Sequence, residues 1–291
     1  MPHTANQRKG RRMTRQTTLT AAVLLGAAAM IPAGIAAQNK CKFREDMELG
    51  ARAGESLRVD AGAGKLVIRG SGGTGQVRVA ATLCASDEDR LAALDVTLDG
   101  GRLDTDYPRN RAGGWFGGNR YARIDLVVEV PAGMNLRVED SSGSVEITGV
   151  GEVEIDDGSG SIQLRGVAAV EIDDGSGSLR IEDVAGHVTV NDGSGSLRIE
   201  DVAGSVTIED GAGSLRISAV GGDVSVSDGS GSVEITSVGG TVRISAGAGS
   251  VTVRDVDGDL VVTDTRRSRI RHSDIRGTLD LPTERRKGRS R

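Results

Sequence analysis

Asp192-Gly193-Ser194-Gly195-Ser196-Leu197-Arg198-Ile199-Glu200 is followed at once by Asp201-Val202-Ala203-Gly204-Ser205-Val206-Thr207-Ile208-Glu209. Each nonapeptide has the form Asp-x-x-Gly-x-Φ-x-Φ-x, with Φ aliphatic. Two aliphatic residues separated by one polar residue, such as Leu179 and Ile181 or Val188 and Val190, lie on one face of a short strand. The Asp-Gly-x-Gly segment then supplies a tight corner, glycine taking positive φ and Asp bonding its own turn backbone. The pair recurs: the glycine of each Gly-Ser step stands at Gly143, Gly160, Gly177, Gly195, Gly213, Gly231 and Gly249. Val184, Val202, Val220, Val238 and Val256 recur at the opposite corner and are expected to point inward.

Two strands and two corners per unit of about 18 residues describe an all-β, parallel β-solenoid. Its strands are satisfied by the coils above and below, about 4.8 Å away. One coil buries too little apolar surface to offset its ordering entropy, so the array is the folding unit. Division into two nonapeptides disfavours the left-handed acyltransferase helices, whose coils divide into three hexapeptides. Calcium-binding nonapeptide rolls carry Asp where this chain has Leu179, Leu197, Leu215 or Val233. Asp156-Asp157 and Asp173-Asp174 accordingly read as solvated turn carboxylates and not as metal ligands. Three-sheet pectate-lyase-like helices need longer coils and aromatic subsites.

Composition agrees. Of 291 residues 43 are glycine, without the every-third spacing of collagen, and 23 of those fall in residues 139–265. All five aromatic residues (Phe43, Tyr107, Trp115, Phe116, Tyr121) precede residue 122, so the repeats must build a thin aliphatic interior. The net charge of −5 hides segregation: residues 139–265 carry −18 and residues 266–291 carry +7. The acidic section excludes nucleic acid as its partner, because phosphate would be repelled along its length.

Residues 1–37 read as an export signal: Arg8, Lys9, Arg11, Arg12 and Arg15 precede an apolar run, and Gly34 and Ala36 suit a cleavage site. An uncleaved anchor is the alternative, for which the run is short and broken. Contact with a membrane is thus expected only through a transient signal peptide, with the chain periplasmic or at the cell surface. In an oxidising compartment the only cysteines, Cys41 and Cys84, are expected to form a disulfide, two buried thiols being the alternative.

Residues 38–138 read as an N-terminal β region with less regular strands near residues 57–60, 65–69, 77–84, 94–98 and 124–130. A hairpin turn is expected at Asp99-Gly100-Gly101, and residues 86–93 as a turn or two of helix. This region is expected to continue the sheets and cover the first edge of the stack. Residues 139–265 are the solenoid repeats and 266–282 a degenerate capping coil in which Ile275, Leu279 and Leu281 keep aliphatic positions. Residues 283–291 read as a disordered basic tail.

No catalytic, metal or cofactor constellation stands out. Two features are candidate contact sites. Arg180, Arg198 and Arg216 form a basic stripe on the first strands, readable as a flat face for an extended ligand or as ordinary surface paired with Glu182 and Glu200. Trp115 and Phe116, flanked by Tyr121 in a glycine-rich loop, read as a contact patch or a local plug.

The segments Cys41 to Phe43, Cys84 to Asp89, Arg123 to Pro131, the Asp-Gly-Ser-Gly-Ser repeats and Gly277 to Pro282 resemble bacterial β-strand-repeat envelope proteins. That family, formerly catalogued as a domain of unknown function, is labelled putative adhesin. The resemblance implies a β-solenoid with a surface or envelope role and no catalytic residues. The expected function is a non-enzymatic adhesin or envelope scaffold binding a protein or cell-envelope polymer. The alternative is a periplasmic accessory subunit of an envelope stress or signalling system with one protein partner.

Overall fold

A computed structural model describes residues 41–73, 75–108 and 120–283. Residues 1–40, 74, 109–119 and 284–291 lie outside this description, and with them the expected signal peptide, Trp115, Phe116 and the basic tail.

Two twelve-stranded sheets face one another. In the regular coils the first strand has eight residues, as in Gly177–Val184 and Gly195–Val202, and the second has five, as in Val188–Asp192 and Val206–Asp210. First strands stack on first strands and second on second, all parallel. Residues 18 apart are paired: Leu179 with Leu197, Leu197 with Leu215, Val188 with Val206. In the two short units the missing residue falls in one corner, where Val150 and Val153, or Val167 and Val170, stand three apart, whereas Val184 and Val188 stand four apart.

The interior is a set of aliphatic columns contributed alternately by the two sheets. Ile181, Ile199, Ile217 and Ile235 are fully buried in one, and Val188, Val206, Val224 and Val242 are at most 1% exposed in another. Each large aliphatic side chain contributes roughly 1.5–3 kcal/mol of burial free energy, so many thin layers accumulate what one coil cannot. The inward valines keep their place through a local break in alternation. Asp183, Asp201, Ala219, Ser237 and Asp255 adopt φ between 55° and 59°, continuing a column begun by Gly149 and Gly166. The left-handed residue shifts the phase by one, so Val184 follows Ile181 into the core at a spacing of three.

The N-terminal region consists of β1 (Phe43–Arg52), β2 (Ser56–Asp60), β3 (Ala63–Ser71), β4 (Gln76–Ala85), the turn of helix α1 (Glu88–Leu91), β5 (Asp95–Asp99), β6 (Arg102–Asp106), β7 (Ala122–Pro131) and β8 (Asn135–Asp140). Sequence patterning located five of these strands; β1 and β6 went unread, since charged residues crowd them, and β8 went unread although Leu136 and Val138 alternate with polar residues. The first sheet continues from the coils through β3, β7, β4 and β1, and the second through β8, β2, β6 and β5. Here strand direction ceases to be uniform: β4 runs antiparallel to β7 and β1, and β5 to β6. The β5–β6 hairpin turns at Gly100 and Gly101, both at positive φ.

At the far end the final coil has a 3-10 turn (Arg267–Arg269) in place of the glycine corner, then Ile270–Ile275 and Leu279–Asp280. His272 takes the rung after Val253 in the isoleucine column, with Arg267 Nη2 3.1 Å from its Nε2. Leu279 is 49% exposed, because no further coil covers it among the described residues.

Candidate binding face

The outer surface of the first sheet carries three parallel columns. Ser144, Ser161, Ser178, Ser196, Ser214, Ser232 and Ser250 are in unbroken register. Beside them run Gln163, Arg180, Arg198, Arg216 and Glu234. The third column holds Arg165, Glu182, Glu200, Ser218 and Thr236. Alternation along each strand turns these side chains outward while Leu179, Leu197 and Leu215 face in. A groove of about 400 Å³ crosses five coils, from Gln163 to Glu234, between the serine and arginine columns.

The three arginines lie together, as the repeat requires, but they are not free cations. Arg180 is bonded to Glu182 and lies 3.7 Å from Glu200. Arg198 donates to Glu200 at 2.5 Å. Arg216 reaches up one coil to Glu234 at 2.8 Å, because its own coil offers Ser218, and Arg254 meets the same carboxylate at 3.1 Å. The hydrogen bond from Arg198 holds Glu200 below the usual carboxylate range, and those from Arg216 and Arg254 do the same for Glu234. The face is therefore nearly charge-balanced. Surface pairs of this kind contribute little to stability, so a competing ligand can exchange them at low cost.

The outer face of the second sheet is acidic at one end. Glu154 is paired with Arg137 at 2.6 Å, Asn191 donates to Asp173, and Asp156 and Glu171 stand beside them. Among the described residues no group of three or more His, Cys, Asp or Glu is placed to hold a metal ion.

The corner carboxylates depart from expectation. Asp156 and Asp173 are solvated, but Asp157 and Asp174 are 3% and 2% exposed, and Asp192, Asp210 and Asp228 repeat their burial at successive coils. Alternation continues past the two valines, so the third inward position of the second strand is the aspartate itself. Its Oδ1 accepts the backbone N–H two residues on: Ser159 at 3.3 Å, Ser176 at 3.2 Å, Ser194 at 3.1 Å and Ala212 at 3.1 Å. The signal that reveals this column is the strict period of two running through Val188, Val190 and Asp192.

Cys41 and Cys84 are joined, with a Cα–Cα distance of 5.5 Å, tying the start of the described chain to β4. Tyr121 is half-buried, and its Oη accepts the Lys42 N–H at 3.0 Å. Tyr107 donates to the Ala63 carbonyl at 2.9 Å and packs against the core. Tyr107 and Tyr121, which flank the undescribed residues 109–119, are thus each held by a hydrogen bond. No described helix is long and apolar enough to cross a membrane.

Residues 55–274 match the family described as Toastrack DUF4097. Among solved structures, a putative adhesin from Parabacteroides merdae is similar at 12% identity and TM-score 0.45, over 82% of this chain and 96% of that one. A putative lipid binding protein from Parabacteroides distasonis is similar at 14% identity and TM-score 0.37, over 82% and 97%. A putative cell adhesion protein from Clostridium sporogenes is similar at 14% identity and TM-score 0.27, over 72% and 99%. No curated protein matches the sequence.

Proposed function

Since the chain belongs to the Toastrack DUF4097 family, we propose that it is a non-catalytic, exported β-solenoid, an adhesin or envelope scaffold that binds a polymer or protein along the first sheet. The observation that carries this reading is the groove lined by Ser178, Ser196, Ser214 and Ser232 on one side and Arg180, Arg198 and Arg216 on the other. Hydroxyls recur there on four successive coils and guanidinium groups on three of them, about 4.8 Å apart. A ligand laid along the stack makes the same weak contact several times, and such contacts sum to useful avidity. Trp115 and Phe116, which lie outside the described residues, together with the neighbouring Tyr121 are the second candidate contact.

Residues 1–37 would act as a cleaved leader, placing the solenoid in the periplasm or on the cell surface. Protease shaving of intact cells separates these two places: cleavage marks surface display, protection marks the periplasm.

The groove is tested by co-sedimentation of the mature chain with insoluble cell-wall polymer. Arg180→Ala, Arg198→Ala and Arg216→Ala together are expected to lose at least tenfold in affinity without loss of fold by circular dichroism. Unchanged retention would sink the groove reading. Recovery of one stoichiometric protein by crosslinking in envelope extract, with no polymer bound, would favour the accessory-subunit alternative.

A further inference from the structure

Asp140, Asp157, Asp174, Asp192, Asp210 and Asp228 are paired in unbroken register through the second sheet. Neighbouring carboxyls are thus about one strand spacing, roughly 4.8 Å, apart. Asp140, at the first rung, is half-buried; the other five are buried. Burying even one carboxylate without a partner is costly, and a row of them adds mutual repulsion. Among the described residues no cation compensates the column. On their own strands the flanking residues Asp156, Asp173, Asn191, Glu209 and Ser227 point to solvent. The corners packed against the column present Gly158-Ser159, Gly175-Ser176, Gly193-Ser194, Gly211-Ala212 and Gly229-Ser230, none of which titrates. Among the described residues Tyr107 is a further titratable group beside the column, next to Asp140.

The oxygens left over point to an unassigned occupant. Asp174 keeps Oδ2 without a hydrogen-bond partner. At Asp228 the approach of the Ser230 N–H falls outside hydrogen-bond geometry, so both oxygens are unpartnered although the side chain is 4% exposed. An ionised carboxylate only accepts, whereas a protonated one also donates. A single proton between two stacked carboxyls removes one charge and satisfies two oxygens.

We propose that this column is a proton-binding site: at mildly acidic pH alternate aspartates are protonated, and each donates its O–H to the carboxylate on an adjacent coil. The protons come from solvent as the chain folds and return to it on unfolding. Asp140, Asp174 and Asp210 are the protonated set, each standing between ionised neighbours or at the end of the row. Burial, followed by the charge of adjacent aspartates, pushes Asp140 up to about 7 and both Asp174 and Asp210 up to about 6. Folded pKa values above the unfolded value near 4 mean that the folded chain holds more protons across this interval. The folding constant then falls about tenfold per pH unit for each such proton as pH rises from about 4 to 6 or 7. The column makes the solenoid an acid-stabilised fold, independently of what its outer face binds.

The test is chemical denaturation of the disulfide-intact chain between pH 5 and 8, compared with Asp174→Asn/Asp210→Asn. Asparagine keeps the corner acceptor and supplies a permanent N–H donor in place of the proton. The wild-type midpoint is expected to fall across this range, while the variant's falls less steeply, with Asp140 alone of the set still titrating, and lies above wild type at pH 8. Parallel profiles would overturn the proposal. Infrared spectra of the wild-type protein keep the test open if the variant fails to fold. A protonated-carboxyl C=O band present in the folded chain at pH 5.5 and absent at pH 8 is expected, and its absence at pH 5.5 overturns the idea. Stabilisation by calcium chloride that EDTA reverses would also overturn it, because a metal ion would then occupy the column.

Discussion

Gly195 lies so close to its counterpart on the previous coil that a Cβ there would stand 2.0 Å from the Gly177 carbonyl oxygen. Its φ of 149° is also one that side chains rarely adopt. Gly195→Ala therefore forces the coils apart at one corner and strains the backbone at once. A loss on the order of 3 kcal/mol is expected, measured as the shift in urea midpoint multiplied by the m-value. A loss under about 1 kcal/mol would show that the stack tolerates local separation.

The opposite corner predicts a gain. Ala219 and Ser237 hold φ of 56° and 57° where earlier coils have Gly149 and Gly166. The left-handed conformation costs a non-glycine residue roughly 1–2 kcal/mol, partly offset by the extra freedom glycine loses on folding. Ala219→Gly should raise stability by about 0.5–1 kcal/mol, seen as a higher urea midpoint at unchanged m-value. A drop would mean that the Ala219 methyl makes a packing contribution larger than the strain it relieves.

Cys41 and Cys84 close a loop of 43 residues' separation. Loop-closure entropy assigns that bond about 4 kcal/mol. Reduction, or the pair Cys41→Ala/Cys84→Ala, should lower stability by about 3–4 kcal/mol and speed hydrogen exchange in β1, the sheet's outermost strand. Equal exchange in β1 before and after reduction would place the bond's effect in the unfolded chain alone.

An acid limit comes from the outer face. Glu200 and Glu234 are held below the usual carboxylate range by Arg198, Arg216 and Arg254, so their contribution is present above the unfolded glutamate pKa and is lost as pH falls through the folded one. Both lie on the outer face and are half-buried, paired with arginines that reach solvent, so the effect is small and screened by salt. Stability is expected to turn downward below about pH 4, less steeply in 1 M sodium chloride than at low ionic strength. A turnover indifferent to salt would assign the acid limb to other groups.

Much of the molecule was legible before any coordinates. The repeat established the strands, the glycine corners, the outward arginines and the inward valines, because side-chain period and turn chemistry are local properties. The pairing of Cys41 with Cys84 was open to reading from compartment and number. Charged strands such as β1 and β6 were not legible, since their order comes from neighbours that cover them and not from their own alternation.

By itself the sequence determined that the chain coils, with what period and around what kind of interior, since alternation and glycine spacing constrain each residue's backbone one unit at a time. Only the stacked structure decided that Arg216 bonds to Glu234 of the next coil and not within its own, and that Tyr121 holds the chain at Lys42. These are relations between residues 18 or 79 positions apart. Solvent access and pairing partners depend on what the neighbouring coil puts within reach.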